Sequence, residues 1–166
     1  MAMRILSSLA MCLSLLPVNL SGQSQSVCPM HSHSTLNERG EQGMGFSQTA
    51  TTHHFLLNAS GGVIQVEAND PADSSNRESA RMHLGHIAQA FQSGDFDIPM
   101  FVHDSVPPGE PEMKRLQKKI HYSFEETANG GRVIITSSDK HAIAAIHEFL
   151  RFQIEEHKTG DSTEIR

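Results

Sequence analysis

The chain has no tryptophan and one tyrosine, Tyr122, among its 166 residues. Stacking on nucleobases or sugar faces therefore has little to work with. Positive charge is also short: 13 Lys and Arg face 19 Asp and Glu, for a formal net charge of −6, and the cations form no stripe. That argues against nucleic acid and against an anionic membrane surface as partners. Catalytic signatures are missing as well. There is no Gly-x-Ser-x-Gly, no His-Glu-x-x-His, no phosphate loop and no GxGxxG fingerprint. Glu125 and Glu126 are neighbours on an expected strand and point apart, so they form no carboxylate dyad. The balance leans away from an enzyme.

Cysteine is nearly absent too, with only Cys12 and Cys28. Residues 1–22 read as a secretory signal peptide. Arg4 gives the positive start, Ile5 to Leu20 is mostly apolar with small polar breaks, and Gln23-Ser24-Gln25-Ser26 turns polar. The apolar run is too short and wrongly flanked for a membrane span. The expectation is a periplasmic or secreted protein without membrane insertion after cleavage. Cleavage near Gly22 removes Cys12 and leaves Cys28 alone, so no intramolecular disulfide forms. In an oxidising compartment a single thiol is a metal ligand, an intermolecular bridge or a reactive group.

Residues 23–42 are rich in Ser, Gln, Gly and His, and read as a flexible tether. Residues 43–160 read as one domain. Two Gly-Gly pairs, Gly61-Gly62 and Gly130-Gly131, lie 69 residues apart in matching surroundings. Thr51 to Leu57 and Val63 to Ala68 are β-favouring, with turn chemistry at Asn58-Ala59-Ser60-Gly61-Gly62. His53, Phe55, Leu57, Ile64, Val66 and Ala68 share the apolar face. A helix follows to about Gln92, with Ala80, Leu84, Ile87 and Phe91 inward. Residues 94–119 form a proline-rich connector, in which 98–102 reads as a short strand or buried loop and 112–119 as a short helix. Ile120 to Glu126, Val133 to Ser137 and a helix over 139–158 then repeat the pattern. The fold expected is α+β: a duplicated ββα unit (51–93 and 120–158), with a four-stranded antiparallel sheet and both main helices on one face.

What the chain has in quantity is histidine, eleven in all. Cys28-Pro29-Met30-His31-Ser32-His33 puts a thiolate, a thioether and two imidazoles within six residues, a set suited to Cu(I) or Zn(II). Its first four residues, Cys28-Pro29-Met30-His31, resemble the short heavy-metal-binding segments of copper-exporting ATPases and efflux adaptors. On the first main helix, Met82-His83-Leu84-Gly85-His86 places two imidazoles at i and i+3. With Leu84 inward, His83 lies at the flank and His86 points away, which suits a copper site or an oligomer face more than convergence with His53. His53 and His54 are adjacent on a strand and point to opposite faces. His53 reads as a hydrogen-bonded histidine at the edge of the core, and His54 shares the outer face with Glu67. His103-Asp104 lies in the connector. His121, His141, His147 and His157 read as surface or helix-flank positions.

The chain from Met44 to about residue 162 resembles a family of small exported bacterial proteins of uncharacterised function. The residues that carry the resemblance are Met44-Gly45-Phe46-Ser47, Thr51-Thr52-His53-His54-Phe55, Met82 to Ile87, His103-Asp104, Pro107-Pro108-Gly109 and His147 to Gln153. The resemblance implies a shared fold and no particular reaction.

The leading expectation is an exported, non-catalytic module for a Cu or Zn ion. Cys28, Met30, His31 and His33 are its first ligands, with His83 and His86 second. An alternative is a structural domain that forms a homodimer through the outer face of helix 74–92. A third is a small-ligand protein or metal-dependent enzyme built around His53 and His103. Convergence of three histidines inside the domain would move the expected site there from the tail.

Overall fold

The computed structural model describes residues 29–166, with side chains from residue 36 onward. Residues 1–22, expected to be a signal peptide, and Cys28 lie outside the described residues, as do the side chains of Met30, His31 and His33. The elements are α1 (Pro29–Met44), β1 (Thr51–Asn58), β2 (Gly61–Ala68), α2 (Ser74–Ser93), α3 (Asp97–His103), α4 (Glu110–Arg115), a 3-10 turn (Gln117–Lys119), β3 (Ile120–Glu126), β4 (Gly130–Ser137) and α5 (Lys140–His157). Among the described residues no helix is long and apolar enough to cross a membrane.

The fold is α+β. The four strands make one antiparallel sheet in the order β1-β2-β4-β3. Period-two alternation aims Phe55, Leu57, Ile64, Val66, Val133 and Ile135 at the helices, all of them buried. Helix α2 packs over β2, β3 and β4, and α5 over β1, β2 and β4. Each main helix thus crosses to cover the hairpin that did not precede it. Its inward stripe supplies the other half of the core: Ala80, Leu84, Ile87 and Phe91 from α2, and Ile146, Phe149, Leu150 and Ile154 from α5. Local signals fix the ends. Asp73 accepts the Asn76 N–H and Asp139 those of His141 and Ala142, while Gly94 closes α2 in the left-handed conformation.

The pairing registers are compatible with a duplicated unit. Thr51 pairs with Ala68 in the first hairpin, and a shift of 69 carries that pair onto Ile120–Ser137 in the second. The central β2–β4 seam has the same symmetry, with Ile64 opposite Val133. The glycine pairs belong to this seam, not to the turns. Gly61 and Gly62 open β2, and Gly130 and Gly131 open β4. A Cβ on Gly61 would meet the Ile135 carbonyl oxygen at 2.2 Å, and one on Gly130 the Val66 carbonyl oxygen at 2.0 Å. The hairpins approach each other closely because neither position carries a side chain.

Three expectations are corrected. Residues 98–102 are not a strand or loop but the middle of α3. Pro99 sits in its first turn, where its missing N–H costs nothing, and the i, i+3, i+4 set Pro99, Val102 and His103 is buried. The span 23–42 is not wholly a tether, because α1 runs from Pro29 to Met44. Its apolar content is low, but Leu36 is buried and Arg39 Nε donates to the Val102 carbonyl at 2.8 Å, which docks α1 on α3. The chain past residue 160 is also attached. The Asp161 carboxylate accepts the Phe55 N–H, and the Arg166 N–H donates to the Leu57 carbonyl, covering the free edge of β1.

Gly130→Ala should lower stability by about 2 kcal/mol or more, since backbone must move to admit the methyl group. Gly85→Ala is the control. Gly85 is inside α2, where a Cβ would reach only Phe124 at 3.8 Å, so alanine there should stabilise by roughly 0.5–1 kcal/mol. Urea unfolding of both variants checks the pair, and a neutral Gly130→Ala would contradict the seam.

Candidate functional site

Four different elements each contribute one histidine to the same cavity. His53 comes from β1, His83 from α2, His103 from α3 and His157 from the last residue of α5. The cavity holds about 60 Å³, and apart from Gln153 the rest of its lining is apolar, including Met44, Phe55, Ile64, Leu84, Ile98 and Phe149. It lies between α2 and α5 above the β1–β2 hairpin, with α3 and the end of α1 alongside.

The rings form a connected run. His53 lies nearly parallel to His157 with centroids 5.6 Å apart, and His103 meets His157 edge-on at 5.1 Å. On the other side, Phe46 stacks on His53 at 5.8 Å and meets His83 edge-on at 5.5 Å. Among the described residues, no three His, Cys, Asp or Glu side chains are already aimed at one point as metal ligands. The rings are gathered, but their planes do not converge.

The nitrogen atoms are poorly satisfied. His53 Nε2 is buried with no hydrogen-bond partner among the described residues, and so is His103 Nδ1. His103 Nε2 lies 2.9 Å from Gln153 Oε1. An amide oxygen only accepts, so Nε2 carries the hydrogen, and in the neutral ring Nδ1 is a bare lone pair. Glu156 Oε2 stands 4.0 Å from that nitrogen. A buried polar atom without a partner costs about 1–3 kcal/mol, so such groups mark a site where packing alone is not the explanation.

Burial also sets the protonation states. Desolvation, with His54 next, lowers the pKa of His53 to about 4. Desolvation followed by His53 and His86 lowers His83 to about 4, and desolvation followed by His53 and His103 lowers His157 to about 3. His103 is lowered by burial, against opposing contributions from Gln153 and Glu156. At neutral pH the cavity is lined by neutral imidazoles, the form that donates a lone pair to a metal.

The sequence-predicted residues divide between separate places. His83 faces this cavity, while His86 and Met82 are on the exposed side of α2, with Met82 75% exposed. They line an open concavity of about 490 Å³ between α2 and β3, together with Gly85 and Phe124. The expected pairing of His83 with His86 is therefore not seen, and His83 instead lines the same cavity as His53, a meeting the sequence argued against. Met30, His31 and His33 lie near the start of α1, and Met44 at its other end lines the cavity. At about 1.5 Å per residue, helix α1 separates Met30 from Met44 by roughly 20 Å. The tail ligands and the cavity cannot share one ion in this arrangement.

Other histidines take different roles from those expected. His53 makes no hydrogen bond through its buried Nε2. His54 Nδ1 pairs with Asp161 at 3.0 Å, not with Glu67. His147 is buried, and its Nε2 faces the carbonyls of Asn58 and Gly61 at 2.9 and 3.0 Å, fastening α5 to the first hairpin turn. Asp104 caps α3 and does not orient His103, a task that falls to Gln153. Sequence reasoning placed His157 at a helix flank and did not single out Gln153. The signal was there: His157 is seven residues after inward Leu150 and four after buried Gln153, on the same face.

Three imidazoles with lowered pKa values make the protein acid-sensitive above the carboxylate range. Each is neutral in the fold but takes up a proton in the unfolded chain below the ordinary value of 6.5. As pH falls from 6.5 toward 4 the unfolded chain takes up protons that the folded rings do not, so stability is lost across that window. Urea midpoints with chelator present should therefore fall between pH 7.5 and pH 5, and an unchanged midpoint would contradict the burial of these rings. No family model, curated protein or solved structure matches the chain, so the site is described by its own side chains.

Proposed function

We propose that this chain is an exported, non-catalytic transition-metal-binding protein for copper or zinc, and that the ion lies in the domain cavity among His53, His103 and His157, with His83 and Met44 beside them. The observation that carries this reading is the gathering of four histidines from four elements on one small cavity. Export rests on the signal-peptide pattern of residues 1–22.

Ring spacing supports a shared ion. A metal–nitrogen bond of about 2.0–2.1 Å puts an imidazole centroid roughly 3.2 Å from the metal, so rings on one ion lie roughly 5–5.5 Å apart. The His103–His157 and His53–His157 separations are 5.1 and 5.6 Å. What binding asks for is a turn of the rings about their own side-chain bonds. Cavity size argues in the same direction. Pockets for organic ligands run to roughly 300–1,000 Å³, whereas a water molecule occupies about 30 Å³. A cavity of about 60 Å³ is small beside pockets for organic ligands and suits an ion with a few waters. Gln153 supplies the outer contact that fixes the His103 tautomer and ring direction, as partners of metal-bound histidines do. Cys28, Met30, His31 and His33 then form a second, separate site.

Competition titrations of Cu(I) and Zn(II) on three proteins test the assignment. The chain with Cys28→Ser and His31→Ala should keep one tight site. The chain with His53→Ala and His157→Ala should lose that site, weakening binding by about 100-fold or more, since each lost ligand removes several kcal/mol. If the cavity variant binds as tightly as the unsubstituted chain while the tail variant loses binding, the site is the tail.

A further inference from the structure

We infer that the cavity selects copper in its monovalent state, Cu(I), over the dications Zn(II) and Cu(II). The inference rests on the reading of the cavity as a metal site and adds which ion it takes. The donors that line the cavity are neutral: the imidazoles of His53, His83, His103 and His157. Among the described residues, no carboxylate and no thiolate lines it. The cost of holding a bare ion in apolar surroundings grows with the square of its charge, so a dication costs about four times as much as a monocation of similar size.

Compensating charge is limited. Among the described residues, the carboxylate placed near a donor nitrogen of the cavity is that of Glu156, 4.0 Å from His103 Nδ1 and 46% exposed. One carboxylate balances one positive charge. The Arg39 guanidinium acts on His103 in the opposite sense, disfavouring added positive charge there. A zinc ion would need a hydroxide as a further counter-charge, whereas Cu(I) needs none. Imidazole accepts Cu(I), and three imidazoles suit the low coordination number of that ion.

The test uses the full chain with Cys28→Ser, Met30→Ala, His31→Ala and His33→Ala, which silences the tail. Cu(I), supplied anaerobically as its acetonitrile complex, is titrated against a chromophoric chelator, and Zn(II) against a zinc dye. The expected result is one Cu(I) per chain, bound about 100-fold or more tightly than Zn(II). Zinc binding as tight as copper binding would overturn the selectivity and leave the metal reading standing. Failure of both ions to bind would overturn both. X-ray absorption of the copper-loaded protein needs no substitution in the core: a shell of two or three imidazole nitrogens supports the assignment, and a shell without imidazole overturns it.

Discussion

Burying an imidazole without giving its nitrogens a partner is the constraint on which this molecule turns. Each such group costs free energy, and the fold places four histidines around one apolar space. The cost is tolerable because the surrounding core is large. Phe55, Ile64, Leu84, Ile87 and Phe149 belong to one continuous buried cluster that also includes the β2–β4 seam. The seam in turn depends on Gly61 and Gly130, whose missing side chains let the hairpins meet. A ligand that satisfies the rings would return part of the cost, which links binding to stability.

The two halves of the sheet show how the site differs from the scaffold. A shift of 69 residues carries His53 onto Tyr122. Tyr122 is buried and meets Phe91 edge-on at 5.8 Å. One half of the pattern places a histidine at this position, and the other a tyrosine. Elements outside the repeat finish the site. Helix α3 brings His103, and α1 with the segment after it brings Met44 and Phe46.

Much of the architecture was legible in the sequence, because hairpins and amphipathic helices are written in local periodicity. The strands, both main helices and their caps follow from alternation, apolar stripes and Asp or Gly at the ends. The Gly-Gly pairs were legible as repeats but not as seam residues, since what they touch is 74 residues away in the case of Gly61 and Ile135. Helices α1 and α3 were missed because their burial comes from docking on each other, which a low apolar content and a proline-rich stretch conceal. The site was legible only in pieces. His53 was placed on the inner face and His103 in the proline-rich connector, yet His157 looked like one more surface or helix-flank histidine. Their meeting depends on α5 crossing to the first hairpin, a tertiary fact that no local pattern contains. His83 is a similar case. A flank position faces solvent on an isolated helix and faces Phe46 here.

The central claim is that the gathered rings bind a metal inside the domain. Imidazole nitrogen NMR of the full chain before and after one equivalent of Cu(I) tests it most directly. The account predicts that the ring signals of His53, His103 and His157 move together, while those of exposed His86, His121 and His141 stay in place. Movement confined to His31 and His33, with the cavity rings unchanged, would contradict it.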